Sequence, residues 1–112
     1  MKAQFIRAVL AGLLFLAALM MCARLAKAQT AESTYRSKCV ACHGSDGSGN
    51  TAVGKSMHLK DLSSADVQKM SDAELTTIIT DGKDAMPAYK DKLTGDQIKA
   101  LVAYIRGMAK KS

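Results

Sequence analysis

Cys39-Val40-Ala41-Cys42-His43 decides how this chain folds. Two thiols three positions apart, followed directly by an imidazole, form the pattern by which a c-type haem is attached. The thiols add to the two vinyl groups on one edge of the porphyrin, and the adjacent imidazole then falls under the iron as an axial ligand. A C-x-x-C pair has two other uses, a thioredoxin-like redox site or half of a zinc site. The redox use expects a βαβ pattern around it, and none surrounds residues 39–43. The zinc use needs two more Cys or His at ligand spacing, and the chain offers only Cys22 and His58. Cys39, Cys42 and His43 are therefore read as the attachment site of one haem c, with His43 the proximal iron ligand.

The N-terminus brings the cysteine count into line. A short basic start, Met1-Lys2-Ala3-Gln4-Phe5-Ile6-Arg7, leads into an uncharged apolar run of 16 residues from 8 to 23. Ala26-Lys27-Ala28 then supplies small residues two apart. Basic start, apolar centre and small-residue exit are the parts of a secretory signal peptide. The expected division is a signal peptide over 1–28 and a single domain over 29–112, placed in the periplasm. The apolar run is only a little shorter than the roughly 18 residues of a spanning helix, so an uncleaved membrane anchor is the alternative. A lipoprotein reading through Cys22 is weaker, because Met20 and Met21 precede it where a small residue belongs.

Removing residues 1–28 takes away Cys22 and leaves only the haem pair. It also removes four basic residues and no acidic one, so 12 basic residues face 10 acidic and the net charge falls from +6 to +2. The basic balance is thus largely a property of the leader, and nucleic-acid binding is not expected. The remaining 84 residues make one small domain, of a size that often needs a staple to be stable. A covalent haem at the centre of the core is such a staple.

Along that domain the periodicity is helical throughout, and strand alternation is absent. Residues 31–42 form a first helix with Tyr35, Cys39 and Cys42 on one face. Residues 44–60, with Gly44, Gly47, Gly49 and Gly54 among polar residues, read as an irregular loop. A short helix is expected within 62–70, capped by Ser63 or Ser64. Ser71-Asp72-Ala73-Glu74 is a capping box opening a helix with Leu75, Ile78 and Ile79 on one side. Gly82 stands where a left-handed residue would end it. Residues 83–93 form a second loop with the only proline, Pro87. Thr94-Gly95-Asp96-Gln97 is another capping box. The last helix runs to about Lys110 with Ile98, Leu101, Val102, Ile105 and Met108 on one stripe, and Lys110 and Lys111 suit its dipole.

Five side chains are candidates for the iron's sixth ligand: Met57, His58, Met70, Met86 and Met108. Met70 and Met108 fall at apolar helical positions, where methionine usually fills core. Met57 and His58 sit in the first loop, 14 and 15 residues beyond His43. Met86 lies in the loop between two helices, and the following Pro87 biases it to an extended, stiff backbone. Met86 is the expected ligand and His58 the runner-up. A His/Met pair fills both axial positions and raises the potential relative to two imidazoles. The metal ligands are then His43 and Met86, with no open position for oxygen or peroxide.

These residues resemble a small bacterial class I cytochrome c, over essentially all of 30–110. The resemblance rests on Cys39-Val40-Ala41-Cys42-His43, on Met86-Pro87 in a loop between helices, and on a terminal amphipathic helix carrying Tyr104. It implies an all-α class I cytochrome c fold, about four short helices wrapped around one covalent haem c. It also implies that the first and last helices cross at a small residue and two aromatics, a place that Ala31, Tyr35 and Tyr104 fit. Many relatives carry a proline some dozen residues after the haem histidine, whose carbonyl accepts from the histidine's second nitrogen. Here that region reads Thr51-Ala52-Val53-Gly54-Lys55, so a different backbone carbonyl is expected to serve.

The leading functional expectation is a soluble, monomeric monohaem electron carrier working between redox protein partners, and not an enzyme, since no acid, base or nucleophile constellation is present. Lys38, Lys55, Lys83, Lys90 and Lys92 flank the expected haem edge, either to steer an acidic partner or as ordinary solvated surface. The alternatives are an electron-accepting subunit of a periplasmic dehydrogenase complex and, with a labile sixth position, a haem sensor or peroxidase-like protein.

Overall fold

The computed structural model describes residues 1–109. Among these are six helices and no strand: α1 (Lys2–Lys38), α2 (Val40–His43), α3 (Ala52–Ser56), α4 (Ala65–Gln68), α5 (Asp72–Asp81) and α6 (Gly95–Arg106). A single isolated bridge pairs Lys83 with Met86.

Two parts of α1 have different surroundings. Its most apolar stretch, with a mean hydropathy of 2.3, buries none of its residues. Phe5, Leu14 and Phe15 all point into the open. Only Ala31 and Tyr35 of this helix are buried. At 1.5 Å per residue a 37-residue helix is about 55 Å long, and it accounts for most of the 71 Å long axis.

The core begins where Ala31 and Tyr35 meet α6. Ile98, Leu101, Val102 and Ile105 are all buried, at the i, i+3, i+4, i+7 spacing that makes one face of a helix. Tyr35 and Leu101 are the most completely enclosed large side chains. Leu75 and Ile79 of α5, Val67 of α4 and Leu93 close the cluster. Tyr35 and Tyr104 stack obliquely, with ring centroids 5.1 Å apart, so the crossing has the small residue and two aromatics expected of it.

Both capping boxes form. The Glu74 N–H donates to the Ser71 hydroxyl at 3.1 Å and the Ser71 N–H to the Glu74 carboxylate at 2.7 Å. The Gln97 N–H donates to the Thr94 hydroxyl and the Thr94 N–H to Gln97 Oε1, at 3.2 and 2.8 Å. Such a cap is worth about 1 kcal/mol. Ser64, not Ser63, caps α4.

Four expectations need correction. The helix over 31–42 is broken at Cys39, whose φ of −115° tips the chain out of α1 and whose carbonyl starts α2 afresh. The segment 44–60 is not wholly irregular, because Thr51 caps α3 through its hydroxyl. The last helix stops at Arg106, with Met108 beyond it. Gly82 ends α5 at a positive φ of 76° but with ψ of 168°, extended rather than left-handed helical. Lys110 and Lys111 lie outside the described residues.

One tie was not legible in the sequence. The Arg106 guanidinium donates to the carbonyls of Gln68 and Met70 and pairs with Asp72 at 2.9 Å. Gln68 in turn donates to the carbonyls of Leu62 and Ile105. Together they fix the end of α6 against the α4–α5 turn.

Candidate functional site

The break at Cys39 turns residues 39–43 into a tight single-turn unit. The Cys39 carbonyl accepts from the N–H groups of both Cys42 and His43, at 3.2 and 2.9 Å. The carbonyls of Cys42, His43 and Gly44 are each engaged from outside the turn. The Thr51 hydroxyl donates to Cys42 O at 2.7 Å. The Gly49 N–H donates to His43 O at 2.7 Å. The buried Tyr35 hydroxyl donates to Gly44 O at 2.8 Å. The segment is therefore pinned both by the loop that follows it and by the helix that leads into it.

Cys39 and Cys42 are free and partly buried. Burial, with the neighbouring Cys42 adding to it, pushes the Cys39 thiol up to about 11. A thioredoxin-like nucleophile is helped by the opposite shift, and the all-helical surroundings of the pair lack the βαβ unit that the redox-dithiol alternative expects. Among the described residues no group of three or more His, Cys, Asp or Glu is gathered to hold a metal ion, which removes the zinc alternative as well.

Burial holds the His43 imidazole below its ordinary pKa, leaving it neutral and competent as a metal donor. Its Nδ1 is buried without a hydrogen-bond partner. The expectation that another backbone carbonyl would accept from this ring is thus not met among the described residues. In and around α3 the nearby carbonyls are already engaged. The carbonyls of Thr51, Val53, Gly54 and Lys55 accept from the N–H groups of Lys55, Met57, Leu59 and His58 respectively. By folding as a helical turn, the segment spends its acceptors on itself.

The five methionine and histidine candidates separate clearly. Met57 is 52% exposed. His58 is exposed too, at a positive φ of 53°. The Met108 sulfur rests against Gly47, only 2.7 Å from where a Cβ there would stand. Met70 packs on the core just before the Ser71 cap. Met86 is half-buried against the same core. Its N–H donates to Lys83 O at 2.8 Å and its carbonyl accepts from Lys83 N at 3.1 Å. Gly82 lets this small loop close: a Cβ there would stand 2.6 Å from Met86 O.

Tyr89 carries the far side of the Met86 loop back to the cysteines. Its hydroxyl donates to Lys38 O, immediately before Cys39, at 3.1 Å. Partial burial, and the nearness of Cys39 and Cys42, raise its pKa. Sequence reasoning missed Thr51 and Tyr89. The signal for Thr51 was a hydroxyl residue three before Gly54, and for Tyr89 an aromatic in the only loop with a proline.

The residues present suit a flat, apolar, iron-bearing group. There are two unpaired thiols one turn apart and a neutral imidazole beside them. A fringe of apolar side chains, Val40, Leu62, Met70, Met86 and Tyr89 among them, packs on the core yet stays partly open.

The wider comparisons agree. Residues 26–105 match the family described as "Cytochrome C oxidase, cbb3-type, subunit III". The chain is 33% identical over 86 residues to cytochrome c6 of Leptolyngbya boryana, covering 77% of this chain and 98% of that protein. It is 31% identical over 109 residues to a cytochrome c6-like protein of Nostoc sp. (strain PCC 7120), covering 96% of each. The solved c-type cytochrome KustC0563 superposes with a TM-score of 0.64 at 35% identity, over 70% of this chain and 96% of its own.

A helical domain built around a C-x-x-C-H turn is the architecture of a c-type cytochrome. The chain belongs to this cytochrome c family, as a small class I monohaem member with covalently bound haem c. It is accordingly an electron-carrying cytochrome that works with redox protein partners.

Proposed function

We propose that this chain is an exported, soluble monohaem carrier of single electrons. Cys39 and Cys42 would hold the haem as thioethers, and His43 and Met86 would be the residues that ligate its iron. The haem, when bound, supplies a one-electron iron couple. The observation that carries the reading is the closed Lys83–Met86 bridge. It holds Met86 half-buried at the rim of the core, while the runner-up His58 stands exposed. His43 presents a neutral imidazole on a backbone that Thr51, Gly49 and Tyr35 restrain. A soft thioether and an imidazole held by these loops would reorganise little when the iron's charge changes.

The test is a redox titration with visible spectra of the purified holo-protein, beside its Met86→Ala and His58→Ala variants. Met86→Ala should lose the weak far-red Met–iron band of the ferric protein and let carbon monoxide bind the ferrous form. His58→Ala should change neither. An unchanged Met86→Ala spectrum would overturn the ligand assignment. Carbon monoxide binding by the unmodified protein at neutral pH would favour a sensor or peroxidase-like role instead.

Export and cleavage after Ala28 draw support from the burial pattern. No buried residue precedes Ala31, so removing residues 1–28 leaves the core whole. The second reading, a retained anchor, is favoured by the unbroken helix from Lys2 to Lys38, which joins the apolar stretch directly to the domain. N-terminal sequencing of the exported protein decides between them: a start at Gln29 supports cleavage, and Met1 on a membrane-bound product supports the anchor. Lys38, Lys55, Lys83, Lys90 and Lys92 are all exposed, which suits an acidic redox partner. Association rates that stay flat across ionic strength would remove that part of the reading.

A further inference from the structure

Tyr89 joins two segments 51 residues apart in the chain, and every polar group it has is engaged in doing so. Its N–H bonds to the carbonyls of Ile79 and Thr80, at 3.1 and 3.2 Å, in the last turn of α5. Its own carbonyl accepts from Lys92 and Leu93, both at 2.9 Å. Its ring packs on the core, and the Lys92 ammonium lies 5.5 Å over its face. The hydroxyl then reaches across to the Lys38 carbonyl. That carbonyl ends α1, where a helix leaves its last acceptors without intrahelical donors. The Met86–Pro87 loop is thus closed at one end by the Lys83–Met86 bridge and at the other by this phenol.

We propose that Tyr89 is a positioning residue for the sixth iron ligand: its hydroxyl latches the Met86–Pro87 loop to the haem-attachment end of α1 and so keeps the Met86 sulfur on the iron. The inference rests on the reading of Met86 as a ligand. Tyr89 sets how readily Met86 can be displaced, because a loop held at both ends costs more to open than one held at one end. Loss of one hydrogen bond of ordinary strength makes opening about five- to tenfold easier.

The experiment is an imidazole titration of the ferric holo-protein, following loss of the far-red Met–iron band, with thermal unfolding measured alongside. Tyr89→Phe keeps the ring, its packing and the Lys92 contact, and removes only the hydroxyl. It should bind imidazole about five- to tenfold more tightly than the unmodified protein. Ser71→Ala, which weakens the fold at the α5 cap far from the latch, should lower the unfolding temperature and leave imidazole affinity unchanged. Equal affinities in Tyr89→Phe and the unmodified protein, or an equal gain in Ser71→Ala, would overturn the latch. Met86→Ala separates this from the underlying reading. If it keeps the far-red band, Met86 is not the ligand. If it loses the band while Tyr89→Phe behaves as the unmodified protein, the ligand stands and the latch falls.

Discussion

The Thr51 hydroxyl donates to the Cys42 carbonyl at 2.7 Å and accepts the Gly54 N–H at 2.8 Å. One side chain thereby starts α3 and holds the residue before the haem histidine. Thr51→Ser keeps both bonds and should unfold close to the unmodified protein. Thr51→Ala loses the cap and leaves a part-buried carbonyl unsatisfied, and should cost about 1–2 kcal/mol. Denaturant unfolding of the holo-proteins checks this. Matching midpoints for Ala and Ser would mean that the hydroxyl contributes nothing.

Tyr35 predicts an alkaline limit to stability. Burial, then the charges of Cys39, Tyr104 and Asp46, raises its pKa above the ordinary tyrosine value. Thioether formation removes the Cys39 charge, and burial remains. A pKa raised on folding means the folded state holds its proton more tightly. The stabilisation is fully present below the unfolded pKa of about 10 and is lost as pH rises from there toward the folded value. Tyr35→Phe loses the hydroxyl bond to Gly44 O, so near pH 8 it should be less stable by about 1 kcal/mol. Above pH 10 the gap should shrink. Denaturant melts at pH 8 and pH 11 measure it, and a gap that widens at the higher pH contradicts the sign.

Glu74 sets a matching acid limb. Its carboxylate accepts from the Ser71 N–H and hydroxyl at 2.7 and 2.9 Å, and those bonds hold its pKa below the ordinary value. The contribution is present above the unfolded pKa of about 4.3 and lost as pH falls through the lower folded value. Glu74→Gln preserves the box without a titrating group, so its stability should fall less steeply between pH 5 and pH 3. Parallel profiles would show that the box is indifferent to charge.

What the sequence made legible was local. The capping boxes at Ser71 and Thr94 and the α6 stripe follow from spacings of three or four residues, which helical geometry converts directly into position, whereas the Tyr35–Tyr104 crossing was implied only by the resemblance to class I cytochromes c. The site was half legible. Cys39, Cys42 and His43 fall within five consecutive residues, and Met86, the proposed sixth ligand, was singled out by the proline after it. Tyr89 is different: its phenol meets Lys38 only because α5 and the loop after it bring the chain back, and no short-range pattern encodes that. The same holds for Arg106 reaching Gln68, Met70 and Asp72. The missing acceptor for His43 has a similar cause. A glycine-rich polar segment looks like a loop with free carbonyls, and one threonine cap turns part of it into a helical turn whose carbonyls accept from its own N–H groups.

Gly82 is the position where a single methyl group should disturb the ligand loop most. Its φ of 76° is one that residues with a side chain rarely adopt. An added Cβ would stand 2.6 Å from Met86 O, 2.9 Å from Ala88 N and 3.0 Å from the Pro87 carbonyl carbon. These are backbone atoms, so no side chain can swing aside to make room. Gly82→Ala should therefore cost about 1–3 kcal/mol and push the Met86–Pro87 loop away from α5. Gly95→Ala is the control, since nothing lies within 4 Å of its new Cβ and α6 begins there. It should be neutral or stabilising by up to about 1 kcal/mol. Thermal unfolding and imidazole titration of the two ferric holo-proteins give the comparison. Gly82→Ala should unfold earlier and release Met86 at lower imidazole, while Gly95→Ala does neither. If Gly82→Ala keeps the ligand affinity of the unmodified protein, the loop's closure against α5 does not govern Met86.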